Sequence, residues 1–374
     1  MAELLLDVHD LRKTFPVKAS AFSTRKVSLR AVDGVSLTLR KGETLGVVGE
    51  SGCGKTTLGR LILRLYEPDA GRVFLEPDPA VVSRVLELDR RIAELEAGAA
   101  EGREGNAARE EARKLRRTAR ELASGSDILS MKADRLKAER QRMQIVFQDP
   151  WASLNPRMLV KDIVGEGPRE FGTHRGKQLD RWVVELLQRV GLPARAAERY
   201  PHEFSGGQRQ RIGIARALAL TPQLIICDEP VSALDVSVQA QILNLLISLQ
   251  DEFHLAYVFI AHDLNVVQYV SDRVAVMYLG KVVETASNRD IYTRPRHPYT
   301  VSLLASVPVA DPEYRREVVP LEGEVPSPIR PPPGCAFHPR CPNRREICSK
   351  QVPRLETGPD GHAFACFNPV PVRP

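Results

Sequence analysis

An α/β fold is predicted for this chain of 374 residues from two observations. Between residues 144 and 285, helical segments alternate with four short apolar strands, "QIVF", "LIIC", "YVFI" and "VAVM". Alternation of this kind is typical of a layered α/β core. The second observation is a glycine-rich segment at residues 49–57, which follows the buried strand "TLGVV" and precedes the helical "LGRLILRLY". Before it, residues 4–48 have the alternating pattern of short strands.

The composition, with 43% hydrophobic and 27% charged residues, is that of an ordinary globular protein. The net charge of +6 favours anionic partners such as nucleotides, nucleic acid or an anionic membrane face. There is no run of about eighteen apolar residues, and the first residues lack the features of a secretion signal. We therefore expect a cytosolic protein that does not itself span a membrane, and disulfides are rare in that compartment.

The glycine-rich segment "GESGCGKTT" fits the pattern of a phosphate-binding loop, G-x-x-x-x-G-K-[ST]. Its glycines let successive backbone N–H groups and the following helix N-terminus point at phosphate oxygens. Lys55 can reach the β- and γ-phosphates, and the hydroxyl of Thr56 can hold Mg²⁺. The alternative is a strand–helix turn without a ligand. The residues expected to contact phosphate are Gly49, Ser51, Gly52, Gly54, Lys55, Thr56 and Thr57.

A second acidic element follows the apolar strand of "LIICDEP", residues 224–230. The strand delivers Asp228 and Glu229 to its carboxyl end, where ligands of open α/β sheets bind. Asp228 is suited to support Mg²⁺, and Glu229 is suited to polarise an attacking water. Acidic residues at a strand end are often structural. This acidic pair indicates a nucleotide site only because the chain also has a phosphate-binding loop.

The segment "FSGGQRQRIGIARAL", residues 204–218, opens a helix with a serine and two glycines. A helix N-terminus of this kind is either a second anion-binding site or an ordinary helix cap. At this point the sequence resembles the nucleotide-binding subunits of ABC (ATP-binding cassette) transporters. The resemblance implies an ABC-type P-loop nucleotide-binding domain with a RecA-like core, an antiparallel β subdomain and a helical subdomain.

Further motifs match this family in its own order. Phe15 corresponds to the aromatic residue that stacks on adenine, and Gln148 to the glutamine that senses Mg²⁺ and the transmembrane partner. Asp235 ends the loop that crosses between two ATPase subunits, and His262 corresponds to the histidine that contacts the γ-phosphate. Taken singly, these residues could be core or surface residues without a ligand. The catalytic set implied by the resemblance is Lys55, Gln148, Glu229 and His262.

In this family ATP lies between one subunit's phosphate loop and the SGGQ segment of the facing subunit. The resemblance therefore implies a head-to-tail dimer, whose closure expels water and completes the donors around the γ-phosphate. The other residues that it places around MgATP are Ser205, Gly206, Gly207, Gln208, Asp228 and Asp235, with Thr56, Gln148 and Asp228 around Mg²⁺.

Two domains are expected: a nucleotide-binding domain at 1–290, with an inserted helical hairpin at 78–126, and a C-terminal extension at 291–374. Within the insert, apolar residues recur at helical spacing in two charged segments joined by a glycine-rich turn. The alternative is a partly ordered charged insert. The apolar positions are Val85, Leu88, Ile92 and Leu95, then Ala108, Ala112, Leu115, Ala119 and Leu122.

The extension is a small, irregular, proline-rich region with four cysteines. Thiolates suit zinc and iron–sulfur centres, but the spacing does not match the usual zinc knuckles, and a larger cluster tolerates wider spacing. A disulfide scaffold does not suit a cytosolic ATPase. Two other cysteines, Cys53 and Cys227, are predicted to be small buried residues and not nucleophiles.

The sequence around the cysteines resembles the C-terminal extension of ATPase subunits of oligopeptide, dipeptide and nickel importers. The matching stretches are "HPYTVSLLASVP" (297–308), "LEGEVPSP" (321–328), "PPGCAFHPRCP" (332–342) and "GHAFAC" (361–366). The resemblance implies a 4Fe-4S cluster on Cys335, Cys341, Cys348 and Cys366. The nearby His338 and His362 keep a Zn²⁺ site open as the alternative.

The expected function is ATP hydrolysis that drives peptide import, at the cytoplasmic face of the cell's inner membrane. The resemblance implies four partners: a second ATPase subunit, favoured to be a sister chain, two transmembrane permeases and an extracytoplasmic peptide-binding protein. The alternative function is a soluble ABC ATPase acting on nucleic acid or ribosomes. Such proteins usually carry two cassettes or a long coiled coil, and this chain has one phosphate loop, so no direct nucleic-acid contact is expected. A nonhydrolytic regulatory cassette is disfavoured because every catalytic residue type is present.

Overall fold

The structure is a computed structural model that describes residues 3–18, 26–100, 105–306 and 323–371. Its strands in chain order are β1 (Leu4–Lys18), β2 (Lys26–Arg40), β3 (Thr44–Val48), β4 (Ala70–Leu75), β5 (Met143–Val146), β6 (Leu224–Asp228), β7 (Ala256–Ile260), β8 (Arg273–Tyr278), β9 (Lys281–Ser287), β10 (Glu356–Thr357) and β11 (Ala363–Phe364).

Its α-helices are α1 (Lys55–Ile62), α2 (Pro79–Ala100), α3 (Gly105–Ala123), α4 (Ala133–Arg140), α5 (Pro150–Ser153), α6 (Val160–Phe171), α7 (Gly176–Arg189), α8 (Gly206–Leu218), α9 (Val236–Phe253), α10 (Leu264–Val270), α11 (Asn288–Thr293) and α12 (Pro298–Ala305). Short 3-10 helices lie at Ala194–Glu198, Pro201–Glu203, His338–Arg340 and Glu346–Ser349. Within the described part of the chain, no helix is both long and apolar enough to cross a membrane.

The central sheet has eight strands in the order β10-β11-β9-β8-β3-β7-β6-β5. Strands β8, β3, β7, β6 and β5 are parallel, and β9 returns antiparallel to β8. The parallel arrangement places the ends of β3, β6 and β7 at one edge of the sheet. The phosphate loop, the acidic pair and the segment that contains His262 follow these three strands directly.

The parallel strands are buried on both faces because successive side chains enter two different cores. On β6, Ile225 and Cys227 face the core built with α6 to α9, while Leu224 and Ile226 face the core that contains α1. Near-continuous apolar strands are expected where helices cover both faces of a parallel sheet. The predicted layered α/β core is therefore what the structure has.

A separate antiparallel sheet, in the order β2-β1-β4, covers the α1 side of the central sheet. Its apolar residues Leu6, Val8 and Val35 share one core with Leu58 and Leu61 of α1. The subdomain thus packs on the helix that begins at the phosphate loop.

Helices α2 and α3 occupy most of the predicted insert and are joined by an ion pair between Arg116 and Glu96. Val85 is fully buried, but Leu122, which was predicted to lie in the seam, is 42% exposed because Ala119 and Ala123 occupy the buried face. The glycine-rich turn at 101–104 lies outside the described residues.

The C-terminal extension continues the central sheet. Strand β11 pairs antiparallel with β9, with Ala363 opposite Thr285. His362 Nε2 lies 2.7 Å from Oε1 of Glu284, and both side chains are buried. The extension is therefore attached to the last long strand of the nucleotide-binding domain. Residues 307–308 and 321–322 of its quoted motifs lie outside the described residues.

Candidate functional site

The phosphate loop has its tight conformation because two glycines lie against neighbouring backbone. Gly54 has φ +105°, and a Cβ there would lie 2.0 Å from the carbonyl oxygen of Ala31. At Gly49, with φ +152°, a Cβ would lie 2.2 Å from the carbonyl oxygen of Met277. No larger residue fits at either position without moving backbone, so the loop shape depends on glycine itself.

Lys55 is buried, and its Nζ donates to the carbonyl oxygens of Gly49, at 2.7 Å, and Glu50, at 3.2 Å. The ammonium group is therefore held inside the loop, where the first N–H groups of α1 also point. Gly54 caps α1 without any side-chain hydrogen bond, which leaves these N–H groups available to an anion.

Two of the three predicted magnesium ligands, Thr56 and Asp228, meet across the sheet edge. Thr56 Oγ1 donates to Oδ1 of Asp228 at 2.8 Å. Burial raises the pKa of Asp228 above its ordinary value, and the Thr56 hydrogen bond opposes this rise. Hydroxyl and carboxylate oxygens are ligands that Mg²⁺ prefers, so the donor set fits this ion.

Glu229 lies at the centre of a second cluster. Its Oε2 accepts a hydrogen bond from Nε2 of Gln148 at 3.0 Å and lies 3.2 Å from Nδ1 of His262. Glu229 has φ +46°, a left-handed conformation that costs energy for a non-glycine residue, and its N–H donates to the carbonyl of Ile260 at 3.0 Å. This strained backbone carries the carboxylate beside a cavity of about 50 Å³ that Ser232 and His262 also line.

The SGGQ segment forms the start of α8. Ser205 accepts from the N–H of Gln208, whose side chain in turn accepts from the N–H of Ser205, a reciprocal capping box. Gly207 packs so closely that a Cβ would lie 2.4 Å from Cγ1 of Val238, in the helix that Asp235 caps. Among the described residues, no hydrogen bond joins this segment to the phosphate loop.

The predicted adenine-stacking residue, Phe15, is half-buried on β1. Its ring meets Tyr66 edge to face at 5.6 Å, and Nζ of Lys13 lies 5.5 Å from its centroid. The role of this ring in stacking a base stays a prediction.

The four cysteines of the extension are free thiols gathered in one region. Burial and the neighbouring cysteines Cys341, Cys335 and Cys348 raise the pKa of Cys366 to about 11. Backbone N–H groups contact the sulfurs: that of Asn368 donates to Cys366 at 3.3 Å, and that of Arg345 donates to Cys348 at 3.4 Å.

Within the described ranges, no group of three or more His, Cys, Asp or Glu side chains forms a site that could hold a metal ion. The two histidines of the alternative zinc site each make a contact through one ring nitrogen. Nε2 of His362 contacts Glu284, and Nδ1 of His338 lies 2.9 Å from the carbonyl oxygen of Cys335.

Comparison with protein families gives two matches along the chain. Residues 32–232 match the family described as ABC transporter, and residues 283–348 match the Oligopeptide/dipeptide transporter, C-terminal region. The first match covers more than half of the chain. The chain belongs to the ABC transporter ATP-binding proteins. Proteins of this family are ATPases, so the chain is an ABC-type ATPase.

Curated relatives of this ABC protein are similar over almost their whole length. The oligopeptide transport ATP-binding protein AppF of Bacillus subtilis is 45% identical over 366 residues, which cover 97% of each chain. The dipeptide transport ATP-binding protein DppF of Haemophilus influenzae is 43% identical over 365 residues, covering 97% of this chain and 96% of that one.

Solved structures confirm the predicted fold class of the cassette. The dimeric structure of MJ0796, a bacterial ABC transporter cassette, covers 76% of this chain and 99% of that chain, with a TM-score of 0.55 and 23% identity. At this identity the likeness shows the fold alone.

Two residues outside the predicted nucleotide site contact the phosphate loop of the ABC cassette. The Tyr299 hydroxyl accepts from the N–H of Glu50 at 2.9 Å, and Arg340 pairs with the carboxylate of Glu50. Tyr299 and Arg340 lie in two of the extension's matching stretches, but nothing in those stretches indicates a contact with the phosphate loop. Only the position of Glu50 inside the loop is visible in the sequence.

Proposed function

We propose that this chain hydrolyses ATP to drive the import of oligopeptides or dipeptides through a membrane transporter. The match of residues 283–348 to the oligopeptide/dipeptide C-terminal region carries this proposal. The names of the relatives AppF and DppF support the same substrate class. Neither name refers to nucleic acid or ribosomes, the alternative that the basic composition left open.

We assign the binding of the triphosphate to the phosphate loop at the end of β3. Lys55 and the N–H groups of α1 would hold the phosphate oxygens, while Thr56, Asp228 and Gln148 would hold Mg²⁺. When bound, this ion neutralises charge on the phosphates. Phe15 would stack on adenine from β1.

We assign the attack on the γ-phosphate to a water oriented by Glu229. The water oxygen would bond to phosphorus as the bond to the β,γ-bridging oxygen breaks, and the proton would pass to the carboxylate. Gln148 and His262 contact Oε2 of Glu229, which supports a role for both in positioning this base. His262 would also contact the γ-phosphate.

The site would be completed by a second ATPase subunit in a head-to-tail dimer. Ser205, Gly206, Gly207 and Gln208 begin α8 and make no hydrogen bond to their own phosphate loop among the described residues. They would contact a nucleotide on the facing subunit, with Asp235 beside the same seam. We favour a sister chain as the partner.

We further propose that Cys335, Cys341, Cys348 and Cys366 bind a 4Fe-4S cluster with a structural role. The N–H contacts to Cys348 and Cys366 are of the kind that stabilise cluster sulfurs. We keep 1–290 as the nucleotide-binding domain, 78–126 as its insert and 291–374 as the extension.

In the assembly that we infer, this chain binds two transmembrane permeases at the cytoplasmic face of the inner membrane. An extracytoplasmic binding protein would deliver the peptide. The test is peptide uptake by liposomes that contain the complete transporter, with ATP enclosed on the side of this chain. We expect accumulation of labelled peptides that requires ATP. Uptake of another solute class, with no effect of peptides as competitors, would contradict the proposal.

A direct test of the cluster is elemental analysis of the intact complex purified without oxygen. We expect about four iron atoms per copy of this chain. Substitution of Cys341 by serine should lower the iron content, whereas Cys227→Ser, outside the extension, should leave it unchanged. Stoichiometric zinc, or no bound metal, would contradict the proposal.

A further inference from the structure

Arg340 of the C-terminal extension contacts the phosphate loop directly. Its Nη1 donates to Oε2 of Glu50 at 2.9 Å, and its Nη2 donates to Oε1 at 3.1 Å. This two-point contact with a carboxylate is the strong geometry for an arginine. It links residues that lie 290 positions apart in the chain.

The arginine is held in place by buried aromatic packing. Arg340 lies in the 3-10 turn that begins after Phe337, and Phe337 is 1% exposed. The Phe337 ring packs edge to face on Tyr278 and Tyr299, at 5.4 Å from each. The Arg340 side chain is only 7% exposed, so its cation is aimed at Glu50 and not at solvent.

Glu50 is the one acidic residue of the loop segment "GESGCGKTT". Its backbone carbonyl accepts from Nζ of Lys55 at 3.2 Å, and its N–H donates to the Tyr299 hydroxyl. A free carboxylate so near the phosphate-binding groups would repel a triphosphate. Arg340 supplies the charge that cancels this repulsion.

We propose that Arg340 is a positioning residue of the nucleotide site, which neutralises Glu50 and thereby sets the affinity of the phosphate loop for ATP. The inference rests on the proposed role of this loop in binding ATP. It makes the extension a part of the nucleotide site and gives the extension a function separate from that of the cysteines.

The test is the dissociation constant of MgATP for the full chain, measured by competition with a fluorescent ATP analogue. We expect Arg340→Gln to weaken binding about tenfold, a change of about 1.4 kcal/mol. The double variant Arg340→Gln with Glu50→Gln should return to within about twofold of the wild type, because the uncompensated carboxylate is then gone. Arg340→Lys keeps the charge and should stay close to the wild type.

A matched control is Lys350→Gln, which breaks an exposed ion pair with Glu346 in the same extension. It should not change the dissociation constant. Raising the ionic strength should shrink the penalty of Arg340→Gln, because salt screens the repulsion. A purely structural role of Arg340 would predict neither the recovery in the double variant nor this dependence on salt.

The outcomes separate the two proposals. If the wild type binds no nucleotide, the proposed function fails. If the wild type binds and Arg340→Gln binds equally well, or if the double variant stays weak, the role of Arg340 is overturned. Should Arg340→Gln fail to fold, Glu50→Gln alone decides: binding at least as tight as the wild type supports the inference, and weaker binding overturns it.

Discussion

At the residue scale, the fold holds the carboxylate of Glu229 between two polar side chains. Gln148 and His262 both contact its Oε2, from the ends of two other strands of the same sheet. A glutamine has the same shape and can keep these contacts, but it cannot take a proton from water.

We predict that Glu229→Gln still binds ATP but loses hydrolysis by roughly 10²–10⁴-fold. The measurement is phosphate release by the complete transporter, beside ATP binding by the isolated chain. Glu346→Gln, at an exposed position of the extension, is the control. Near-normal turnover by Glu229→Gln would remove this residue from the role of base.

His297 is a buried residue whose shifted pKa makes the stability of the protein depend on pH. Burial lowers the pKa of His297 from 6.5 to about 4, although Glu284 opposes the shift. Its Nδ1 accepts from the N–H of Tyr299 and so caps α12. The folded protein therefore holds His297 neutral at a pH where the unfolded chain is protonated.

Between pH 6.5 and 4 the unfolded state binds more protons than the folded state does. The free energy of unfolding therefore falls as the pH is lowered. From pH 7 to pH 5 this residue should remove about 2 kcal/mol. His297→Asn keeps a good helix cap and should flatten the pH dependence by that amount. The measurement is urea denaturation at both pH values, and equal slopes for both proteins would contradict the prediction.

At the scale of elements, the inserted helices are anchored to the antiparallel sheet by a small core and an ion-pair cluster. Phe74 of β4 is fully buried with Val82 and Val85 of α2. Beside it, Arg72 pairs with Asp89 of α2 at 2.8 Å and with the buried Asp127 at 2.9 Å. The insert therefore begins as a packed part of the subdomain.

We predict that Phe74→Ala destabilises the chain by about 3–5 kcal/mol, since it removes a fully buried ring. Leu122→Ala, on α3 but 42% exposed, is the control and should cost less than about 0.5 kcal/mol. Thermal and urea denaturation measure both. A small effect of Phe74→Ala would mean that the insert is attached by the ion pairs alone.

At the scale of the whole molecule, the proposed nucleotide site is composite, with the phosphate loop on one copy and the SGGQ segment on its partner. Ser205 caps α8, and aspartate is an equally good cap. Ser205→Asp therefore keeps the helix but places a negative charge where the partner's γ-phosphate would lie.

We predict that Ser205→Asp leaves ATP binding by the isolated chain unchanged and lowers hydrolysis by the complete transporter about 10²-fold, the size of effect typical of one lost anion-stabilising group. Ser205→Asn, a neutral cap of the same shape, should lose much less. Equal loss in both variants, or weaker ATP binding by the isolated Ser205→Asp chain, would contradict a composite site.

Motifs in which neighbouring residues act together were predictable from the sequence. The loop from Gly49 to Thr56 needs glycine at left-handed positions and an N-terminal helix turn, and both requirements are met by consecutive residues. The resemblance assigned Gln148, Glu229 and His262 to one catalytic set, and the structure shows that they contact one another. The strand order, with β3 between β8 and β7, has no counterpart in the chain order.

The phosphate loop, the acidic strand end and the capped SGGQ helix could be predicted from the residues alone, because backbone conformation and hydrogen bonding over a few residues specify them. The contacts of Arg340 with Glu50 and of His362 with Glu284 are apparent only in the folded chain. Each of these contacts joins side chains far apart in the chain, and no local pattern distinguishes their residues from other charged ones. Packing of Phe337 and pairing of β11 with β9 bring them together, and both are properties of the folded chain.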